Sequence, residues 1–106
     1  HFKFMIPNWK YFRIGFDFEK NNFADLIYYV EIVNKNIVVP EKTIEILSPF
    51  FQKHNDNKNI PCGYSIFTKY PNWNNSAFKA IVSGEMKIEI KSIVLNILEN
   101  CKGLDM

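Results

Sequence analysis

The sequence predicts an α+β domain: an antiparallel sheet of three to four strands with two to three helices, the C-terminal helix packed on the sheet. Two observations carry that class. Residues 9–19, WKYFRIGFDFE, alternate apolar and polar side chains with the period of two expected of a half-buried strand. Residues 86–101 instead repeat apolar side chains at steps of three and four over more than four turns, which is the period of a helix. The length of 106 residues fits one domain, and 47 % apolar with 16 % aromatic residues excludes a disordered chain. A chain of this size buries roughly 60–70 % of its unfolded surface, enough for a core without covalent staples.

In chain order, the opening FKFMI alternates and predicts a short strand before a Pro7-Asn8 turn. Phe12, Ile14, Phe16 and Phe18 form one face of the next strand, and Tyr11, Arg13, Asp17 and Glu19 the other. KNN at 20–22 signals a turn into FADLIYYVEIV, whose Tyr28, Tyr29, Val30, Ile32 and Val33 favour a second strand and hence a hairpin. If those strands pair, Asp17 and Glu31 or Asp25 could approach each other, but solvated strand faces explain these carboxylates better. NKN at 34–36 is a further turn. Pro40 is tolerated in a first helical turn, Ile44, Leu47 and Phe51 have helical spacing over 41–48, and Pro49 ends or kinks that helix. KHNDNKN at 53–59 is a loop, and CGYSIFTKY a strand in which Tyr64, Ile66, Thr68 and Tyr70 share a face. PNWNNSAFKAIVSG predicts a turn, a cap at Asn75 or Ser76, a short helix and a stop at Gly84, before a last helix from about Glu85 to Cys101. No repeat or linker divides the chain, so 1–106 is a single domain. A first residue of His1 predicts a fragment of a longer protein.

The net charge of +2, with both signs mixed along the chain, excludes binding of nucleic acid by bulk charge alone. No apolar run reaches the ~20 residues of a membrane span, and no leader pattern is visible, so the expected location is cytoplasmic, with no membrane partner. Cys62 and Cys101 are expected to be free thiols. The abundance of Lys, Asn and Ile reads as AT-rich codon bias.

KIEIK, residues 87–91, carries a carboxylate and a lysine two apart, half of a metal-dependent nuclease signature. On a strand, Glu89 and Lys91 share a face. On a helix they lie about 200° apart and cannot grip one metal-bound phosphate. The apolar stripe Met86, Ile90, Ile93, Val94, Ile97, Leu98 and Cys101 favours the helix. KIEIK is therefore read as a solvated face, and no catalytic residue is assigned. His1, His54, Cys62 and Cys101 lack metal-ligand spacing, so no metal or cofactor is expected in this stretch, and nothing marks an activated Cys62–His54 pair. The remaining constellation is basic-aromatic: Trp9, Lys10 and Arg13, with Lys69, Tyr70 and Trp73, interleave stacking groups and cations as single-strand binders do.

WKYFRIGFDFEKNNFADLIYYV (9–30) and PNWNNSAFKAIVSGEMKIEIKSIV (71–94) resemble the C-terminal part of a bacterial PD-(D/E)XK nuclease-superfamily group. There, a strand of the IGFEFE type, Asn-rich turns and an FxxxIY strand precede a WNN…F.A…G segment and a terminal helix. The family's metal-binding Asp and (Asp/Glu)-x-Lys pair lie upstream of such a region. The resemblance thus implies a non-catalytic accessory domain of a metal-dependent nuclease-like protein, with DNA as a possible partner. The alternative is an interaction or oligomerisation module that binds the missing N-terminal part or a second copy.

Overall fold

The computed structural model describes residues 2–18, 26–54, 56–66 and 84–106. The expected turn at 20–22, the capped helix before Gly84, Glu19 and Asp25 lie outside these residues. The described residues form an α+β fold with the element order strand, strand, strand, helix, strand, helix. Strands β1 (Phe2–Phe4), β2 (Phe12–Phe18), β3 (Leu26–Ile32) and β4 (Tyr64–Ile66) make an antiparallel sheet in the order β1-β2-β3-β4. Helix α1 spans Glu41–Leu47 and helix α2 spans Glu85–Asn100.

Each local choice follows from residue chemistry. Ile6 to Trp9 form a turn closed by a bond from Trp9 N–H to the Ile6 carbonyl at 3.1 Å. Pro7 takes the second position and Asn8, at φ +72°, the third, where a short polar side chain tolerates the left-handed region. Pro40 caps α1 in extended geometry and Glu41 lies in its first turn, near the positive end of the helix. Ser48 donates its hydroxyl to the Ile44 carbonyl at 2.6 Å, and the chain tightens into a 3-10 turn, Ser48–Phe50, as Pro49 ends the α-helix. Gly63 follows at φ +84°, and a Cβ there would strike the backbone carbonyl of Lys53. That approach lets Lys53 and Tyr64 exchange bonds of 3.0 and 2.8 Å at the sheet edge.

The β2–β3 register opposes Phe12 to Ile32, Ile14 to Val30 and Phe16 to Tyr28. These side chains share the face covered by the helices. Phe12, Ile14, Phe16 and Val30 are fully buried and join Leu47, Phe51, Cys62, Ile97, Cys101 and Met106 in one core. Ile90, Ile93 and Val94 of α2 pack against that core, whereas Ile88 and Leu95 are exposed. The helical stripe thus lies on the sheet as its spacing requires, and Glu89 and Lys91 lie on a helix.

Candidate functional site

The other face of the sheet places Lys3 opposite Gly15, Gly15 opposite Tyr29, and Arg13 opposite Glu31. Glu31 therefore meets a cation, whereas Asp17 is opposite Ile27, two pairs beyond Tyr29 and four from Glu31. Asp17 and Glu31 are not cross-strand partners, because one register fixes every pair along the ladder. Lys3 Nζ donates to Tyr29 Oη at 3.0 Å and to Glu31 Oε2 at 2.9 Å, and Arg13 Nε donates to the same oxygen at 2.6 Å. The ammonium also lies 5.1 Å from the centre of the Tyr29 ring. That ring lies across Gly15, where an added Cβ would come within 2.7 Å of the ring carbon Cζ. An added Cβ there would force the Tyr29 ring to shift, so close approach, and not backbone conformation, favours glycine at 15.

The cluster is partly desolvated, with side-chain exposures of 23 % for Lys3, 32 % for Arg13 and 16 % for Glu31. Burial pushes the Glu31 carboxyl up, but the bonds from Lys3 and Arg13 outweigh it and hold the group below its ordinary value. Burial likewise pushes Lys3 down, and its bonds to Glu31 and Tyr29 outweigh that and raise it. Burial raises the Tyr29 hydroxyl against the opposing influence of Lys3.

At the end of the hairpin, Arg13 and Glu31 open onto a cleft of ≈ 390 Å³ lined also by Ile32, Val33, Asn34, Lys35, Asn36 and Asn59. Its walls are tied. Val33 N–H donates to the Tyr11 carbonyl at 2.9 Å and Ile32 N–H to the Asn59 carbonyl at 2.8 Å. Asn34 Oδ1 accepts from Asn36 N–H, and Asn57 Oδ1 from Asn59 N–H, each at 2.9 Å. A second cavity, between Tyr28, Leu47, Phe51 and Ile97, measures ≈ 30 Å³, room for about one water, and so does not compete as a ligand site.

Of the residues singled out from sequence, Arg13 joins the cleft. Trp9 is half-buried against the core and Lys10 is exposed. Lys69, Tyr70 and Trp73 lie outside the described residues. Lys3, Tyr29, Lys35 and the asparagines carry no site signal in the sequence, and Glu31 reads there as a solvated strand face; the NKN segment at 34–36, which reads only as a turn, forms the cleft's rim. Cys62 and Cys101 are buried, and burial raises both thiols, Cys101 to about 11. Cys62 Sγ lies 3.9 Å from the Ile44 carbonyl, a packing environment and not that of a nucleophile activated by His54. Among the described residues, no group of three or more His, Cys, Asp or Glu side chains could hold a metal ion, and no helix is long and apolar enough to cross a membrane. No family model matches the sequence, and neither curated proteins nor solved structures give a match.

Proposed function

We propose that this is a non-catalytic accessory domain that positions nucleic acid within a PD-(D/E)XK nuclease-like protein. The observation that carries the reading is the anchored arginine of the cleft. Glu31 holds Arg13 through Nε, which leaves the terminal amino groups of the guanidinium for a phosphate, and Lys35 lines the same opening. A guanidinium fixed by a carboxylate loses less side-chain freedom on binding than a free one. The parent protein is inferred from the resemblance of 9–30 and 71–94 alone.

Fluorescence anisotropy with labelled DNA at low and high salt tests the reading. Binding weakens as salt rises, and Arg13→Ala or Lys35→Ala lowers the logarithmic salt slope by about one for each phosphate contact removed. Absence of binding at low salt, where phosphate contacts are strongest, would remove the reading.

A protein-interaction role is the second reading, favoured by the exposure of Ile46 on α1, of Phe50 in the turn after it and of Ile88 and Leu95 on α2. Sedimentation decides it: a strict monomer at the highest soluble concentration counts against self-association.

A further inference from the structure

We infer that the cleft takes one unpaired nucleotide of a single strand, with its phosphate on Arg13 and Lys35 and its base edge on the carboxamides of Asn36 and Asn59. The inference rests on the nucleic-acid reading above and adds the form of the ligand. A space of ≈ 390 Å³ falls near the lower end of small-ligand sites, which run from roughly 300 to 1,000 Å³. A single nucleotide is of a size to enter it. Duplex base edges lie inside grooves that helices or strand ribbons enter, and this opening is walled by two loops.

The lining has more than an electrostatic function. Cations suffice for backbone contact, but a carboxamide offers a donor and an acceptor side by side, the complement of a base edge. The backbones that carry Asn36 and Asn59 are fixed through their N–H groups, on Asn34 Oδ1 and Asn57 Oδ1. Those bonds spend neither side-chain amide of Asn36 or Asn59. Val33 adds an apolar wall. Glu31 is the one carboxylate among the lining residues, and it is neutralised from within the protein by Lys3 and Arg13. Among the lining residues Arg13 and Lys35 outnumber it, so an anion is favoured.

The test compares a labelled single strand with its duplex of equal length at low salt, using the full chain. The single strand should bind about tenfold tighter than the duplex, and the double variant Asn36→Ala/Asn59→Ala should bring that ratio close to one. A nucleoside 5′-monophosphate should displace the strand from the wild-type protein. Both asparagines are exposed, and circular dichroism checks that the double variant folds. Equal affinity for strand and duplex, unmoved by the double variant, overturns the single-nucleotide cleft while the nucleic-acid reading stands. Binding of neither form at low salt overturns both.

Discussion

Glu31 accepts from Lys3 and from Arg13 through one oxygen, so a single carboxylate ties β1 and β2 to β3. The folded protein holds that carboxyl below its ordinary 4.5. Its contribution is therefore fully present above the unfolded value and is lost as pH falls through the folded one. Lys3 and Tyr29 act at the other end of the scale: both are raised, from 10.5 and 10.0, so their contribution is present below those values and lost as pH climbs through the folded ones. Glu31→Gln should cost about 1–2 kcal/mol at neutral pH, because two cations lose a charged acceptor in a partly desolvated site. The gap between wild type and variant should close as the solution is acidified from above 4.5 down through the lowered folded value. Urea midpoints measured across that range check it, and a gap that stays constant with pH would show that Glu31 does not titrate with folding.

Helix α2 separates what spacing alone could reveal from what it could not. A strand through Met86–Lys91 would place Ile88 and Ile90 on one face; the helix sends Ile88 to solvent at 69 % exposure and buries Ile97 to 6 %. Ile97→Ala should cost about 2–4 kcal/mol through the cavity it leaves. Ile88→Ala should stay within about 0.5 kcal/mol. Chemical denaturation of the two variants distinguishes them, and equal losses would contradict the helical stripe. The strand of 12–18 and this helix were legible because their periods, two and 3.6, stand in the sequence itself. The site was less legible for a physical reason. Tyr29 and Glu31 lie 26 and 28 residues from Lys3 along the chain and meet it only through strand register, which no local pattern encodes. Trp9 looked like a stacking platform beside Lys10, yet the turn at Pro7-Asn8 brings it back onto the core.

Across the molecule, residues 104–106 close the structure on itself. The Met106 carbonyl accepts from Tyr11 N–H at 2.7 Å and from Phe12 N–H at 3.1 Å, where the chain enters β2. Thr43, buried in α1, donates its hydroxyl to the Asp105 carbonyl at 3.1 Å. The Met106 side chain sits in the core, and Leu104 packs against it. Removing 104–106 would withdraw one buried side chain, worth about 1.5–3 kcal/mol. It would also strip partners from three donors, at about 1 kcal/mol or more each where they remain buried. Against a total stability of about 5–15 kcal/mol, that loss is a large fraction. The consequence should reach the cleft, since Tyr11 donates to Met106 on one side and accepts from Val33, a cleft wall, on the other. The truncated chain should therefore unfold at a much lower urea concentration and bind a labelled single strand more weakly even at temperatures where it remains folded. Urea titration and anisotropy on the same preparation check both parts. A truncated protein of wild-type stability would show that the tail rests on the sheet without holding it, and one that is destabilised but binds normally would show that the cleft is supported by the Asn59 loop alone.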